Sequence, residues 1–453
     1  MQEAKTGSEW GKVAAGLEAG DAATLKAALA KLRPPELLDH WNELAREQRF
    51  TVLTLLPPES AAEVFSNLPE DEQGELLEAL PPWRVKEVLG ELSLDDLTDT
   101  LQAVEEDDPE FAEGLRAHLD PETRAEVAEL SEYEEDEAGG LMTPEYIVLR
   151  DSMTVEDVFR FLRRAAPDAE QVYYLYVVDQ AGHLQGVLSL RNLIVADPSA
   201  RVKEIMRTDV KFVRTDTDQE EVARLMADYN FTVLPVVDET GKLAGIVTID
   251  DVVDVIQEEA TEDIYKLAAV ESPDMVYSRS SVMELWSARV RWLIILIITG
   301  MLTSTILQGF ESVLKAITAL AFYVPSLLGT GGNTGNQSST LIVRALATGD
   351  INPKDWSRVL FKESAVGILL GLTLAFFIAI KVLLDGHLGL TLVVGLALAS
   401  LVVVANLVGA LLPMLLRKLN LDPALISNPL VATVSDVSGL LIYLSIARWL
   451  LNL

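Results

Sequence analysis

The chain has 453 residues, with 69 Asp and Glu against 36 Lys and Arg, four His and no Cys. Without Cys, neither disulfides nor thiolate metal sites can form, and a net charge of −33 excludes nucleic acid as a class of partner. Only seven of the acids and eleven of the bases follow residue 287, so the preceding region carries about −37 and the rest about +4.

The acid excess of the first region has two interpretations. It serves solubility or adaptation to salt, or it is neutralised by bound cations, and composition leaves both open. The first 30 residues are polar and lack the apolar stretch of a signal peptide. This region is therefore expected to stay in the cytosol.

Residues 1–130 are predicted to be all-helical, because Leu, Ala, Glu, Lys and Arg, the strong helix formers, dominate them. Leu56-Pro57, Leu68-Pro69 and Leu80-Pro81 recur every 12 residues. Since Pro is tolerated in the first turn of a helix, this repeat predicts short helices stacked as a small superhelix. An irregular helical bundle is the alternative.

Residues 142–262 contain a longer repeat. Leu175-Tyr-Val-Val-Asp179 and Leu234-Pro-Val-Val-Asp238 match at a spacing of 59, and each precedes a Gly-containing turn and a second apolar run, Gly186–Leu190 or Gly245–Ile249. Val- and Ile-rich runs bounded by Gly and Asp are typical of strands. The pair resembles tandem CBS domains, α/β regulatory modules that bind adenine nucleotides, ions or nothing. The fold does not decide between these.

The helix that closes the second repeat is predicted to run from Ile249 to about Val270. Four acids lie along one of its faces, at i, i+3, i+7 and i+11: Asp251, Asp254, Glu258 and Glu262. Like charges one turn apart destabilise a helix by about a few tenths of a kcal/mol per pair, and no Lys or Arg from 249 to 265 offsets them. The face is either solvated or requires divalent cations. A linker containing Pro273 follows.

Five stretches of the last region are apolar and long enough to span a bilayer, which takes about 20 residues. They are expected at about residues 290–311, 316–344, 362–384, 388–416 and 424–450. Eight flanking Lys and Arg lie on one side and three on the other, so the positive-inside rule places the N-terminal region in the cytosol and the C-terminus outside.

Two stretches within these spans are too polar to face lipid along their whole length. The first, Pro325–Thr340, holds four Gly and the three amides Asn333, Asn336 and Gln337. Close helix packing through small residues is one interpretation. The lining of a pore is the other.

The second polar stretch, Ser427–Gly439, holds Asn428 and Asp436. An acid inside a span is costly and indicates a functional site. The alternative is a structural ion pair, for which Lys381 is the near candidate. The two stretches together favour a cation pathway.

Three motifs resemble the MgtE family of magnesium transporters: Gly331-Gly-Asn-Thr-Gly-Asn-Gln337, Ser427-Asn-Pro with Ser435-Asp436, and Glu137-Ala-Gly-Gly-Leu-Met-Thr143 before the CBS pair. The match covers nearly the whole chain. It implies a homodimer in the bacterial inner membrane, with a pore on the dimer axis and Asp436 as the ion-binding acid. It also implies that the acidic helix is a "plug" helix before the membrane.

The resemblance further implies Mg²⁺ sensor sites between the cytosolic domains and the plug helix. The matching positions are Glu63, Asp95, Asp99, Gly140, Asp218, Glu220, Ala227, Asp251, Asp254, Glu259, Glu262, Asp263 and Asp422. Asn230 stands where a family carboxylate would pair with Glu63. A metal site there is therefore expected to be weak or absent.

The predicted fold class is a multi-domain membrane protein with an all-α superhelical N-domain, α/β tandem CBS domains and a five-helix transmembrane domain. The expected boundaries are 1–132, 133–205, 206–262, 249–272 for the plug helix and 286–453.

The expected function is Mg²⁺ influx, closed by Mg²⁺ at the acidic cytosolic domains. Mg²⁺ prefers octahedral oxygen ligands and keeps much of its water, and the polar stretches offer oxygens but no imidazole or thiolate. Alternatives are transport of Co²⁺, Mn²⁺ or Ca²⁺, or a membrane-tethered nucleotide sensor. An enzyme is not expected, since the four His are scattered and no P-loop is present.

Overall fold

The computed structural model describes residues 9–165, 171–270, 277, 280–419, 421–422 and 428–452. The chain divides into two compact units, Met1–Ile256 and Gln257–Leu453, and each is described by itself. Pro273, Ser427 and the first residues of the last expected span lie outside the described residues.

Ten α-helices form the first part of the first unit, and their all-helical character is confirmed. They are α1 Glu9–Ala19, α2 Ala22–Leu29, α3 Pro34–Leu38, α4 Arg46–Leu55, α5 Pro58–Ser66, α6 Glu70–Ala79, α7 Pro82–Leu89, α8 Leu94–Asp107, α9 Pro109–Arg116 and α10 Pro121–Leu130. Four consecutive helices, α5 to α8, start 12 residues apart. The Leu-Pro repeat therefore marks the starts of α5, α6 and α7, whose N-cap residues are Pro57, Pro69 and Pro81.

Two three-stranded sheets follow, one in each copy of the longer repeat. The first copy contains β1 Val148–Arg150, α11 Val155–Ala165, β2 Tyr174–Val178, β3 Leu184–Ser189, α12 Leu190–Val195 and α13 Val202–Ile205. The second contains β4 Val213–Arg214, α14 Gln219–Tyr229, β5 Val233–Val237, β6 Leu243–Thr248 and α15 Ile249–Leu267.

The two sheets have the same pairing. In each, the first strand is parallel to the second and the second is antiparallel to the third. The two copies also exchange segments, because Thr143 at the start of the first copy pairs with Ile246 of β6, and Arg207 pairs with Val187 of β3. A side chain at Gly245 would meet Met142 at 2.6 Å, so this crossing requires a glycine in the strand.

The helix α15 begins where Thr248 caps it. The Thr248 hydroxyl and backbone N–H both donate to Oδ2 of Asp251, at 2.5 and 3.4 Å, so this acid serves the first turn of the helix. The helix ends at Leu267 rather than near residue 270. Its length is close to the expected length of the acidic plug helix.

The described residues of the second unit form six further α-helices. They are α16 Val282–Gly309, α17 Glu311–Ala316, α18 Val324–Ala347, α19 Trp356–Leu384, α20 Thr391–Lys418 and α21 Asn428–Leu450. Four of the helical segments in the described residues are long and apolar enough to cross a membrane: Val282–Gly309, Pro353–Leu384, Leu388–Lys418 and Asn428–Leu450.

The helix α18 is long enough to span but more polar than these four. It begins at Val324 instead of residue 316, because a short helix and a 3-10 turn occupy residues 311–323 and Pro325 lies in its first turn. Its role as the fifth span stays a prediction. The unusual composition of this helix belongs to the site described next.

Small residues pack α18 closely against α20 and α21. A Cβ on Gly409 of α20 would lie 2.2 Å from the carbonyl oxygen of Gly335, and one on Gly335 would lie 2.9 Å from a methyl of Val431. Such backbone contact is how helices associate where the surrounding lipid gives no hydrophobic drive. Part of the polar stretch is therefore a packing face.

Candidate cation sites

The helix α18 has one polar face left open. Asn333, Gln337 and Thr340 are exposed, whereas Gly331, Gly335, Ser338 and Ser339 on the other side are buried. The exposed residues recur at i, i+4 and i+7, which places them on one stripe of the helix. Amides and hydroxyls do not suit a lipid-facing surface. This stripe therefore needs protein or water opposite it.

The small-residue face brings α21 against α18 and so places the second polar stretch beside the first. Gly335 lies against Ser435, whose hydroxyl would be 3.0 Å from an added Cβ, and Gly332 lies against Ala432. Asp436 follows Ser435 directly in α21. Both polar stretches thus lie on neighbouring helices of one bundle.

Asp436 has no ion-pair or hydrogen-bond partner among the described residues, and its side chain is half-buried. The expected competitor for it, Lys381, instead donates to both carboxylate oxygens of Asp385 at 2.5 Å. The structural ion-pair interpretation therefore loses its candidate cation. An uncompensated carboxylate on a membrane-type helix is by default a candidate site for a cation.

Two amide oxygens of the polar stretches are also suited to bind a cation. The carbonyl oxygens Oδ1 of Asn336 and Asn428 are buried, and neither has a hydrogen-bond partner in the part of the chain that the structure describes. A buried unpaired oxygen costs about 1–3 kcal/mol, and neutral oxygens of this kind are ligands that suit Mg²⁺.

A second acid that lies between helices of this unit, Glu363 of α19, escaped the sequence reasoning. Its carboxylate Oε2 accepts hydrogen bonds from Ser338 Oγ at 3.2 Å and Asn406 Nδ2 at 2.7 Å. In the sequence it follows Lys362 and resembles an interfacial charge. Only the packing of three helices reveals its partners.

In the first unit, acids of α8 and α15 lie close together. Burial, and then the neighbouring Asp250, raise the pKa of Asp95, while burial and Asp95 raise that of Asp96 to about 6. Asp99 stays open to solvent on one side, yet partial desolvation and then Asp95 and Asp96 raise its pKa to about 8. These shifts mean that the group resists full ionisation.

On α15 the same effect continues. Burial raises the pKa of Asp251 to about 7 against the opposing hydrogen bond from Thr248, with Asp95 and Asp250 adding to the rise. Burial and Asp250 also raise the pKa of Asp254. The structure therefore groups Asp95, Asp99 and Asp251 of the expected sensor set, and adds Asp96 and Asp250.

The sensor positions of the second CBS copy are spread along α14. Asp218 caps its start by accepting from Glu220 N–H at 2.9 Å. Gln219 N–H donates to Asp136 in the connection that holds Gly140, so these expected residues lie at one end. Ala227 lies more than two turns further along the helix.

The structure shows the local surroundings of Asn230 and Glu63, the two residues between which a weak metal site was expected. Asn230 ends α14 in the left-handed conformation, with φ 52°, which Asn adopts more readily than most residues. Glu63 is exposed on α5. The expected weakness of a site between them remains a prediction.

In the second unit, the expected residues Glu262, Asp263 and Asp422 gather around a cation that sequence reasoning missed. Lys266 Nζ lies 2.6 Å from Glu262 and 2.7 Å from Asp422. Desolvation alone would lower its pKa, but the bonds to Asp422 and Glu262 raise it to about 12. Burial and then Asp422 and Glu259 raise the pKa of Asp263.

No group of three or more Asp, Glu, His or Cys in the described residues is close enough to hold a metal ion. The expected ligand sets of the cytosolic acids and of Asp436 therefore remain predictions. What the structure adds is the electrostatic setting of some of these acids: burial and neighbouring acids raise the pKa of Asp95, Asp99, Asp251 and Asp263.

Comparisons with family models agree with this division of the chain. Residues 324–446 match a family described as a divalent cation transporter. Residues 32–136 match the MgtE intracellular N domain, and residues 138–199 and 202–258 match the CBS domain.

Curated relatives match over most of the chain. A magnesium transporter MgtE of Thermus thermophilus is 66% identical over 436 residues, which cover 96% of this chain and 97% of the relative. A magnesium transporter MgtE of Enterococcus faecalis is 39% identical over 72% of both chains, and one of Bacillus subtilis is 38% identical over 70% of both.

Two solved structures resemble the non-membrane part. The cytosolic domain of the Mg²⁺ channel MgtE, in complex with ATP, is 63% identical, with a TM-score of 0.53 over 54% of this chain and 98% of that chain. The soluble part of a magnesium transporter is 31% identical, with a TM-score of 0.51 over 56% of this chain and 98% of that chain.

Proposed function

We propose a route for the ion from the premise that this chain belongs to the MgtE family of magnesium transporters and transports Mg²⁺. The ion passes along the exposed polar stripe of α18 and past Asp436 of α21. The observation that carries this proposal is the half-buried Asp436 carboxylate, which has no partner among the described residues. It lies on a helix packed against the amide-bearing one.

The chemistry of these oxygens suits a hydrated ion. Mg²⁺ demands near-octahedral geometry and dehydrates reluctantly, so it usually keeps several waters in a protein. Asn333 and Gln337 would contact that water shell, while Asp436 supplies the negative charge. Soft ligands are absent from both polar stretches, which disfavours thiolate-seeking metals.

A homodimer completes the path in this proposal. The stripe of Asn333, Gln337 and Thr340 is open in one chain, and polar groups at membrane depth must face protein or water. A second copy across a twofold axis would place two stripes and two Asp436 carboxylates around one water-filled path. The pair would supply −2 to a divalent ion.

Direction and gating belong to the same proposal. The N-terminal helical domain and the CBS pair lie in the cytosol, and the C-terminus lies outside. The pathway carries Mg²⁺ inward across the bacterial inner membrane. High cytosolic Mg²⁺ closes the path by bridging the crowded acids, such as Asp95, Asp99 and Asp251 in the first unit, and Asp263 with Asp422 in the second. An ATP complex of a relative's cytosolic domain supports the proposal that the CBS pair binds an adenine nucleotide. A calorimetric titration of the full chain with ATP that gives no heat of binding would contradict it.

The decisive variant is Asp436→Ala in the full chain, reconstituted in liposomes that report internal Mg²⁺ with a dye. Uptake should fall by more than tenfold, since the loss of one charged contact to a divalent ion is worth at least about 1.4 kcal/mol. Asp385→Asn is the matched control: it removes an acid of the same unit that is paired with Lys381 outside the spans, and should keep uptake within about twofold.

Full uptake by Asp436→Ala would remove this residue from the path. Competing Co²⁺, Mn²⁺ or Ca²⁺ in the same assay tests the alternative cargoes. A wild-type flux of one of these that exceeds the Mg²⁺ flux would contradict magnesium selectivity.

A further inference from the structure

Glu363 joins three helices of the second unit. Besides the hydrogen bonds to its carboxylate from Ser338 of α18 and Asn406 of α20, its backbone carbonyl accepts from Asn406 Nδ2 at 2.9 Å. Asn406 is 3% exposed and Ser338 is also 3% exposed. The network is therefore inside the bundle.

The position of this acid is costly. Glu363 lies seven residues into α19, about 10 Å along the helix at 1.5 Å per residue. No Lys or Arg in the described part of the chain forms an ion pair with it. A carboxylate that is partly buried between helices needs hydrogen bonds to offset its lost hydration, and here two donors satisfy one of its oxygens.

The hydrogen bond between Ser338 and Glu363 differs from the other side-chain hydrogen bonds of α18. Among the described residues, it is the one side-chain hydrogen bond that leaves this helix for another; the hydroxyls of Thr330 and Thr334 donate within α18 itself. The adjacent Ser339 is fully buried, and its Oγ has no partner in the described residues. On the rest of the buried face, the central turns hold Gly331, Gly332 and Gly335, and larger side chains such as Leu327 and Ile342 lie toward the two ends of the helix.

Glycines in the central turns allow close approach of the neighbouring helices but give those turns few interlocking side chains to resist a local twist of α18 about its axis. A side chain projects about 5–6 Å from that axis, so a rotation of roughly 20° would carry the tips of Asn333 and Gln337 by about 2 Å. An octahedral water shell does not tolerate such a displacement, because Mg²⁺ is strict about geometry.

We propose that Glu363 is a positioning residue of the cation path: through Ser338 it sets the rotation of α18 and so holds the amides of Asn333 and Gln337 toward the ion. Asn406 holds the carboxylate from the other side. The inference rests on the proposed path along α18. It goes further by assigning selectivity and apparent affinity to a residue that does not touch the ion.

The test compares four variants of the full chain in the liposome assay: Glu363→Ala, Ser338→Ala, Glu363→Gln and Ser339→Ala. Flux is measured against Mg²⁺ concentration and against Mg²⁺ with Mn²⁺ in competition, normalised to inserted protein. A merely structural role lowers the amount of competent protein. It leaves the half-maximal concentration and the Mg²⁺/Mn²⁺ ratio unchanged.

Loss of a hydrogen bond to a charged group should raise the half-maximal Mg²⁺ concentration by about tenfold in Glu363→Ala and Ser338→Ala, with a lower Mg²⁺/Mn²⁺ ratio. Glu363→Gln keeps an acceptor for Ser338, and Asn406 can turn its amide to suit it, so it should stay within about threefold. Ser339→Ala, which removes the neighbouring buried hydroxyl, should match the wild type.

Two results would overturn the inference: unchanged affinity and ratio in Ser338→Ala, or equal effects of Ser338→Ala and Ser339→Ala. Ser338→Ala removes one oxygen only, so it carries the test even if Glu363→Ala fails to insert. Asp436→Ala in the same series separates the two proposals. If it abolishes flux while Ser338→Ala changes nothing, the path stands and the positioning role fails.

Discussion

Arg84 shows how one buried cation can determine the stability of a helix pair. Its guanidinium, 2% exposed, donates to the carbonyl of Leu53 at 2.8 and 3.0 Å and to that of Leu56 at 2.6 Å. Leu53 lies in the last turn of α4 and Leu56 is its C-cap residue, and carbonyls at a helix end lack partners within the helix. A cation at a helix C-terminus also complements its dipole.

We expect Arg84→Met to destabilise this region by about 2–4 kcal/mol, because it leaves two buried carbonyls unpaired. Hydrogen–deuterium exchange of a peptide covering α4 in the full chain would measure the loss as faster exchange. Arg46→Met is the control: Arg46 pairs with Glu75 on an exposed surface, where an ion pair contributes within about 1 kcal/mol. Equal exchange in both variants would contradict the role of Arg84.

At the scale of single residues, the sequence predicts a functional role where a residue type is unusual for its surroundings. Asp436 and the amides of α18 stand out because they are polar within apolar spans. Glu363, Lys266 and Arg84 do not stand out, since each lies in a stretch where a charge is ordinary. Their roles depend on partners 25 to 156 positions away in the chain, which no local pattern contains.

Among the elements, α20 and α18 are held by backbone contact. Gly409→Ala would place a methyl 2.2 Å from the Gly335 carbonyl oxygen, and since backbone cannot rotate aside, the helices must separate. Overpacking of this kind costs about 1–3 kcal/mol. Gly395→Ala, on the same helix, meets its nearest atom at 3.8 Å and should be neutral or slightly stabilising through helix propensity.

Thermal unfolding of the two purified variants in detergent, followed by loss of the monodisperse species, would measure this difference. We expect a lower midpoint for Gly409→Ala only. An unchanged midpoint for Gly409→Ala would mean that α18 and α20 are less closely packed than the structure shows.

Element boundaries followed from the sequence where a local signal marks them. The Leu-Pro repeat predicts the starts of α5 to α7, and the 59-residue spacing predicts two copies of one strand pattern, which the structure shows as two sheets with the same pairing. The start of α18 was wrong by eight residues, because hydropathy alone cannot separate the short helix α17 and the 3-10 turn from a continuous span. Pro325, which lies in the first turn of α18, is the residue in the sequence that marks this start.

At the scale of the whole molecule, the proposed gating depends on the charge of the region before the membrane helices. The region before residue 288 carries about −37, and the raised pKa values of Asp95, Asp96, Asp99 and Asp251 come from burial and mutual proximity. Repulsion of this kind opposes a compact state. A divalent ion that bridges two carboxylates removes it.

We therefore expect Mg²⁺ to protect residues 1–270 of the full chain from protease as its concentration rises through the millimolar range. Asp95→Asn keeps the shape of a buried acid whose Oδ1 has no partner in the described residues, yet removes its charge. It should raise the half-protecting Mg²⁺ concentration by about fivefold or more, equivalent to about 1 kcal/mol of coupling. Glu106→Gln, exposed at the other end of α8, should not.

Sodium chloride at matched ionic strength separates binding from screening. Screening acts on all exposed charges within about 10 Å at 0.1 M salt and would protect the wild type and both variants alike. Bridging requires a divalent ion and responds to Asp95 but not to Glu106. If sodium chloride protected the chain from protease as well as Mg²⁺ does, or if Mg²⁺ gave no protection, the gating proposal would be contradicted. The proposed path past Asp436 would not be affected. The acid excess would then serve solubility alone.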